Sequence, residues 1–402
     1  MTEKEKGIVH MTTKQGNGSK WEILKVSTRL GFTSFGGPVA HLGYFHDEYV
    51  KRRKWLDEQS YADLVALSQF LPGPASSQVG IGIGVMRGGI SGGLLSFLGF
   101  TLPSILLLMI FAFMFQTTNV AGAGWIDGLK LVAVAVVAHA IVGMGKKLAP
   151  DKERATISFV TLMILLVWQT VYSQVLLIAL AALVGLWLYR KTAETEDSSF
   201  IVPLTRRFGA ICLGLFGALL GLLPLLRAVF DVYFLELFDS FYRAGALVFG
   251  GGHVVLPLLE REMVPAGFTT AEEFLAGYGA AQAVPGPLFT FASYLGVIAD
   301  GWVGGVVATV AIFLPAFLLI LGALPFWSEM RRYPNMQAAL FGVNACVVGI
   351  LAAAFYNPIL TSAVTTGLEA AIAVGLFGLL AYWKMPAWGV VIVGLLSGIL
   401  LL

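Results

Sequence analysis

The sequence predicts an all-α polytopic membrane protein made of two inverted-topology repeats with broken or re-entrant half-helices. Hydrophobic residues make up 57% of the 402 residues and charged residues 12%, the latter about half the share of a globular protein. Uncharged stretches exceed the roughly twenty residues that cross a hydrocarbon core. Two kinds of interrupted apolar segment each occur twice. This composition excludes a soluble enzyme, a disordered chain and a nucleic-acid binder.

The N-terminal segment and the cysteines carry little chemistry. Residues 1–20 are polar and lack the apolar core and cleavage site of a secretory signal, so we expect a cytoplasmic tail. Cys212 and Cys346 lie in separate apolar runs and predict neither a disulfide nor a metal site. No metal or cofactor is expected.

Simple membrane spans account for much of the rest of the chain. They are predicted at 88 to about 116, about 124–145, two short spans within 155–189, 208–226, 301–328, about 337–355, 360–383 and 386–402.

Two kinds of segment do not fit a simple span. Glycines break an apolar stretch at 36–37 and again at 250–252, and Pro-Gly-Pro joins two short helices at 72–74 and at 285–287. Proline and adjacent glycines interrupt the hydrogen-bond ladder of a helix. Each segment is therefore better described as half-helices or a re-entrant hairpin.

The interrupted segments belong to an internal duplication. Arg29 and the glycines that follow it match Arg243 and its glycines at an offset of 214 residues, and the two Pro-Gly-Pro motifs match at 213. Ordered matches with so little drift predict a first repeat over 21–191 and a second over 228–402. Residues 192–227 would then contain a loop and a linking transmembrane helix.

Basic residues indicate how the repeats are oriented, because Lys and Arg accumulate in short cytoplasmic loops. The loop 146–154 is basic and its counterpart 356–362 is uncharged, whereas 116–124 is uncharged and its counterpart 327–335 contains Arg331 and Arg332. Equivalent loops are thus expected on opposite sides, with the N-terminus inside. If 21–50 is one long span instead of a hairpin, the outer termini change sides.

The breaks are the predicted substrate site. A half-helix that begins at a break exposes backbone N–H groups and the positive end of its dipole, which favour an anion. Broken helices of inverted repeats meet near the bilayer midplane in secondary transporters. The predicted binding residues are Arg29, Gly36, Gly37, Pro38, His41, Gln69, Pro72, Gly73, Pro74, Ser76, Ser77, Gln78, Arg243, Gly250, Gly251, Gly252, His253, Gln282, Pro285, Gly286, Pro287 and Thr290.

The two arginines in this set have two possible interpretations. Arg29 and Arg243 either attract a dianion or reach the interface and pair with nearby carboxylates. Glu48, Glu262 and Glu369 are candidates for proton coupling or gating. His139, in the middle of a span, is expected to be structural, and Asp127 and Lys130 to form a local pair.

Several strings resemble one family closely. They are FGGPVAHLGYFH (35–46), WLDE (55–58), QFLPGPASSQ (69–78), FGGGHVVLPLL (249–259) and VPGP (284–287). From residue 21 to the C-terminus the chain resembles the chromate ion transporter family in its long two-domain form. The resemblance implies an inner-membrane protein that exports chromate, with sulfate as a related oxyanion, energised by the proton motive force.

Export agrees with the membrane potential, which at 100 mV drives a dianion outward by about 4.6 kcal/mol. Oxyanion, protons and membrane lipid are the expected partners, a homodimer is compatible with the sequence, and no nucleic acid is expected.

Three alternative functions remain. They are a metal-dependent enzyme that uses His41, His46, Asp47 and Glu48, a cation–proton antiporter that uses Asp127, Glu262 and Glu369, and a passive anion channel.

Overall fold

A computed structural model describes residues 19–35, 37–117, 124–168, 171–189, 203–249, 252–327 and 334–402. The predicted tail up to residue 18, the predicted site glycines Gly36, Gly250 and Gly251, and the basic pair Arg331 and Arg332 lie outside these ranges.

Every regular element in the described ranges is a helix. The helices are α1 (Lys20–Thr33), α2 (Gly37–Phe45), α3 (Glu58–Phe70), α4 (Ala75–Thr117), α5 (Gly124–Leu148), α6 (Lys152–Val167), α7 (Val171–Tyr189), α8 (Arg206–Val229), α9 (Tyr233–Ala246), α10 (Val255–Met263), α11 (Ala271–Ala281), α12 (Phe291–Ala323), α13 (Pro334–Ala354), α14 (Gly367–Ala381) and α15 (Ala387–Leu401).

Short 3-10 and π-helical pieces extend some of these helices. A π-helical stretch, His46–Arg52, continues α2, and a 3-10 turn, Gly252–Val254, leads into α10. A second 3-10 turn, Leu288–Thr290, leads into α12 and a third, Leu324–Phe326, follows it. Between α13 and α14 lie a π-helical stretch, Phe355–Leu360, and one helical turn, Thr361–Ala363.

The first hairpin consists of α1 and α2 with its π-helical extension. Ser27 Oγ in α1 lies 3.2 Å from Tyr49 Oη, and Arg53 Nη1 donates to Glu22 Oε1 at 2.8 Å. The segment 21–50 is therefore folded back on itself and is not one long span. Its first limb, α1, is about 21 Å long, shorter than the roughly 30 Å hydrocarbon core.

Helix α4 is also folded back, at Gly88 and Gly89. Gly89 has φ of 66°, and Ser96 Oγ donates to the Gly80 carbonyl at 2.8 Å. Sixteen residues of straight helix would separate these two positions by about 24 Å. The limb 90–117 corresponds to the span predicted from residue 88, and the limb 75–87 pairs with α3 on the two sides of the first Pro-Gly-Pro.

Helix α12 repeats this hairpin in the second half of the chain. Asp300 and Gly301 have non-helical angles, and Gly301 has φ of 55°. A Cβ on Gly296 would lie only 2.3 Å from the Gly304 carbonyl oxygen, just as a Cβ on Gly84 would lie 2.3 Å from that of Gly92. Glycines thus permit the limbs to touch in both halves. The shared order of elements on either side of α8 indicates an internal duplication.

Within the described ranges, five helices are long and apolar enough to cross a membrane. They cover 75–117, 124–148, 206–229, 288–326 and 337–363, and shorter apolar helices cover 176–189, 367–381 and 387–401. The segment expected to span 360–383 differs, because its helix α14 begins at Gly367 with a capping box formed by Thr366 and Glu369.

Candidate functional site

The two halves are joined by a reciprocal pair of backbone hydrogen bonds. Gly73, in the first Pro-Gly-Pro, donates its N–H to the Val248 carbonyl at 2.7 Å, just after α9. Gly286, in the second Pro-Gly-Pro, donates to the Ser34 carbonyl at 2.9 Å, just after α1. Each Pro-Gly-Pro therefore binds the break of the other half, and the four breaks converge in one region.

Glycine is required at both donor positions. Gly73 has φ of 108° and Gly286 φ of 107°, a region that L-residues rarely occupy. The helices that lead to the breaks also pack closely, because a Cβ on Gly31 would lie 2.7 Å from the Phe100 carbonyl oxygen and one on Gly245 would lie 2.2 Å from that of Ile312. The small residues hold α1 against α4 and α9 against α12.

A cavity of about 440 Å³ adjoins these breaks. Five predicted binding residues line it together: Gly37, Pro38, His253, Gln282 and Gly286. The other lining residues are Val136, His139, Ala281, Val284, Leu288, Leu380, Ala381, Lys384, Met385, Pro386 and Ala387. The two breaks, α5 and the turn between α14 and α15 thus share one space.

One lysine and two histidines line the cavity. Lys384 lies exposed in the turn between α14 and α15, and His139 and His253 line the same space. His253 Nδ1 lies 2.7 Å from Tyr278 Oη, which holds the ring in place. Among the described lining residues there is no Asp or Glu. A concave site with fixed positive charge and no carboxylate attracts anions.

His139 and Lys384 line the cavity but were not among the binding residues predicted from the sequence. His139 is a single titratable residue in an apolar span, which was the one available signal. Lys384 is the only charged residue after Glu369, but nothing in the sequence places its turn beside the breaks.

Four of the predicted polar residues of the first half, His41, Ser76, Ser77 and Gln78, are buried and do not line the cavity. His41 is fully buried with Nδ1 3.3 Å from Ser76 Oγ. In the described chain, Ser34 Oγ, Ser77 Oγ, Gln78 Oε1 and Thr101 Oγ1 are buried without a hydrogen-bond partner. Buried polar atoms are normally paired, so these groups are free to bind a small polar ligand or water.

The equivalent side chains of the second half, Gln282 and Thr290, already donate hydrogen bonds to backbone carbonyls. Thr290 Oγ1 donates to the Pro287 carbonyl at 2.7 Å, and Gln282 Nε2 to the Tyr278 carbonyl at 3.5 Å. In the first half, by comparison, Gln78 Nε2 donates to the Pro72 carbonyl at 2.8 Å while Gln69 is exposed. The prolines Pro74, Pro285 and Pro287 are buried, and Gly252 begins the 3-10 turn before α10. The two breaks are thus alike in backbone and different in their unpaired polar groups.

The equivalent arginines do not line the cavity. Arg29 is exposed and is in no ion pair of the described residues. Arg243 Nη1 instead lies 2.8 Å from Glu262 Oε1, and Arg243 Nη2 lies 3.0 Å from Asp239 Oδ2.

The other candidate carboxylates lie in separate places. Glu48 contacts Arg52 at 3.1 Å and Arg53 at 2.7 Å. Glu369 lies in the first turn of α14, where its Oε2 accepts the Thr366 N–H at 2.7 Å.

The residues proposed for a cation–proton antiporter or a metal-dependent enzyme do not come together in one site among the described residues. Asp127 Oδ1 lies 2.5 Å from Lys130 Nζ, as the local pair predicts. His46 Nε2 contacts Glu58 Oε2 at 2.7 Å, away from His41. Among the described residues no three His, Cys, Asp or Glu side chains are grouped so that they could hold a metal ion.

The sequence is similar to those of several known proteins. The family model described as Chromate transporter matches residues 21–186 and again 235–399. A chromate transport protein of Pseudomonas aeruginosa is 29% identical over 81% of this chain and 77% of its own, and one of Cupriavidus metallidurans is 28% identical over 83% and 81%. An uncharacterised transporter of Methanocaldococcus jannaschii is 26% identical over 97% and 96%. No solved structure shows significant similarity.

Proposed function

Because the chain belongs to the chromate transporter family, we propose that it exports chromate from the cytoplasm as a secondary active transporter. The observation that carries this proposal is the cavity lined by both glycine breaks and the second Pro-Gly-Pro, with Lys384, His139 and His253 on its wall and no carboxylate among its described lining residues. Relatives named chromate transport proteins align over most of their length.

The cavity chemistry suits a tetrahedral dianion. Lys384 supplies a compact charge, and His253 and Gln282 supply side-chain polar groups at the opposite break. Gly37 and Pro38 begin α2 at the cavity wall, so the first N–H groups of this helix and its dipole add positive potential. Hydrogen bonds from such groups bind oxyanions by their oxygens, which chromate and sulfate share.

The proposed topology is inverted, with a cytoplasmic N-terminus and an inner-membrane location. The reciprocal bonds Gly73–Val248 and Gly286–Ser34 support it, because hairpins that enter from opposite faces meet at their tips. Lys146 and Lys147 at the end of α5 mark the cytoplasmic side. The single helix α8 between the halves supplies the odd crossing that inversion needs.

Transport is proposed to be proton-coupled, alternating-access antiport. Outward movement of a dianion is favoured by about 4.6 kcal/mol at 100 mV inside negative, and proton entry adds to that gain. The ion pairs of Glu48 and Glu262 lie at equivalent positions in the two halves, 214 residues apart. They are proposed to close opposite sides of the cavity in turn.

Proteoliposomes containing the purified protein test this function. Radiolabelled chromate should enter by counterflow against unlabelled chromate, and an imposed pH gradient should accelerate its net flux. Competition by sulfate and phosphate measures selectivity, and stronger competition by sulfate than by chromate itself would reassign the substrate. Flux without counterflow would indicate a passive anion channel, and an absence of oxyanion flux would refute the proposal.

A further inference from the structure

The second half contains a buried cluster in which carboxylates outnumber cations. Arg227 at the end of α8 and Arg243 in α9 face three acidic residues, Glu236 and Asp239 of α9 and Glu262 of α10. Asp239 is fully buried and Glu262 is 8% exposed. With all five groups ionised the cluster has a net charge of −1. Its two most buried members are the carboxylates Asp239 and Glu262, and excess negative charge there is costly unless a cation or proton neutralises it.

The guanidinium of Arg243 is shared by Glu262 and Asp239. Its Nη1 lies 2.8 Å from Glu262 Oε1 and its Nη2 2.8 Å from Glu262 Oε2, a two-bond arrangement. Arg227 Nη2 is hydrogen-bonded to Glu236 Oε1. Both oxygens of Glu262 thus have a partner on Arg243, and Glu236 has one on Arg227.

Asp239 is held at one oxygen only. Its Oδ2 accepts from Arg243 Nε at 3.1 Å and lies 3.0 Å from Arg243 Nη2 and 3.5 Å from Arg227 Nη1. Its Oδ1 is buried and has no hydrogen-bond partner among the described residues. Since Asp239 and Glu262 both contact Arg243 Nη2, they share one cation, and two carboxylates that share one positive group favour binding a proton.

Other charged or titratable groups around Asp239 do not supply the missing charge. Arg227 comes from α8, Glu262 from α10, and Glu236, Ser240 and Arg243 from α9 itself. Helix α12 packs along α9 and has one charged residue, Asp300. The carboxylate of Asp300 interacts electrostatically with Tyr233, in the first turn of α9. None of these adds a cation.

The first half does not repeat this arrangement. The position equivalent to Asp239 is Lys25, and Lys25 and Arg29 are both exposed. Glu22, the counterpart of Glu236, contacts Arg53 at 2.8 Å and Arg87 at 3.9 Å. In this half the cations outnumber the carboxylates, so the excess negative charge is specific to the second half.

We infer that Asp239, with Glu262 as its neighbour, is the proton-binding site of this transporter, and that Oδ1 of Asp239 receives the proton. This inference rests on the proposed proton-coupled function and assigns its coupling residue. Protonation makes the cluster neutral without breaking the Arg243–Glu262 bonds, and deprotonation restores the excess charge.

The same hairpin connects the proton site to the cavity. Arg243 lies in the last turn of α9, and the Val248 carbonyl just beyond accepts the Gly73 N–H. After the break, His253 lines the cavity and α10 returns to Glu262. A shift of α9 against α10 on proton binding therefore moves the break at which the oxyanion binds.

The variant Asp239→Asn tests the assignment because it removes the titratable group and keeps the shape. In proteoliposomes with radiolabelled chromate, we expect counterflow within about twofold of the wild type and a loss of at least about tenfold in the stimulation by a pH gradient. Glu22→Gln, a matched change in an ion-paired carboxylate of the first half, should keep the stimulation. An Asp239→Asn protein that is still stimulated like the wild type overturns the inference.

Infrared difference spectra between acid and alkaline buffers give a readout that needs no transport. The wild type should show a protonated-carboxyl band that titrates and that is missing in Asp239→Asn but present in Glu22→Gln. A wild type without chromate counterflow but with this band would refute the proposed function and leave the proton site standing. A band unchanged in Asp239→Asn refutes the proton site, whatever the transport result.

Discussion

A methyl group at Gly286 should disturb the junction between the halves more than one at its counterpart, Gly73. Both glycines have nearly the same φ, 107° and 108°, so alanine at either position carries the same backbone strain, about 1–3 kcal/mol. The surroundings differ. The added Cβ would lie 2.8 Å from Ser104 Oγ at position 286, and 3.3 Å from the flexible end of Gln78 at position 73.

The closer contact sets the expected difference. A Cβ at 2.8 Å from Ser104 Oγ and 3.3 Å from Ser104 Cβ forces a local shift, and overpacking of this kind costs about 1–3 kcal/mol. Gly286→Ala should therefore destabilise the protein by about 1–3 kcal/mol more than Gly73→Ala. Removing the hydroxyl with Ser104→Ala should recover most of this extra loss in the double variant. The same Ser104→Ala change should be additive with Gly73→Ala within about 0.5 kcal/mol.

Equilibrium unfolding in mixed detergent micelles measures these free energies, with helical signal as the readout. Chromate counterflow should fall in Gly286→Ala and recover in the double variant, because Gly286 also lines the cavity. If Gly286→Ala is no less stable than Gly73→Ala, or if Ser104→Ala rescues both equally, the close contact at Ser104 is not the cause and the reasoning fails.

Three further outcomes are expected. Lys384→Gln should weaken chromate binding about tenfold, which equals about 1.4 kcal/mol. Lys54→Gln should not, because Lys54 has a positive φ like Lys384 but does not line the cavity; equal effects in a binding titration would remove Lys384 from the site. Asp151→Ala should lower the free energy of unfolding by about 1–2 kcal/mol at neutral pH, because the Asp151 carboxylate caps α6. Although burial acts to raise it, the hydrogen bonds from Arg154 lower the pKa of Asp151 to about 2. The wild-type advantage should thus be full above about pH 4, the unfolded value, and disappear as the pH falls toward 2; an advantage that grows on acidification would contradict the assignment. Glu369→Ala should cost about 1 kcal/mol of stability and Glu369→Gln much less, since glutamine also completes a capping box; equal losses in thermal melts would show that the capping bonds do not stabilise α14.

The breaks and their duplication were predictable because glycine and proline leave a backbone signature. Gly73 and Gly286 occupy a φ that other residues avoid, so the same residue types recur in both halves at a nearly constant offset. That recurrence identified the residues that converge at the cavity, including Gly37, His253 and Gln282.

The contributions of tertiary packing were not predictable in this way. Lys384 reaches the cavity because the turn between α14 and α15 packs beside the breaks, an approach that leaves no pattern in the local sequence. Asp239 has Lys25 as its counterpart, so a search for matching pairs passes over it. Arg29 and Arg243 do match, but α8 contributes Arg227 beside Arg243 alone. The equivalent arginines therefore have different surroundings.

The reciprocal backbone bonds also bear on how a half-length gene product would have to assemble. Residues 21–186 by themselves would contain the Gly73 donor and the Ser34 acceptor without Val248 or Gly286 to pair with them. An unsatisfied backbone group at membrane depth costs several kcal/mol. A single half thus needs a second half whose break and Pro-Gly-Pro supply the complementary groups, and fusing the two halves into one polypeptide supplies those groups in equal number.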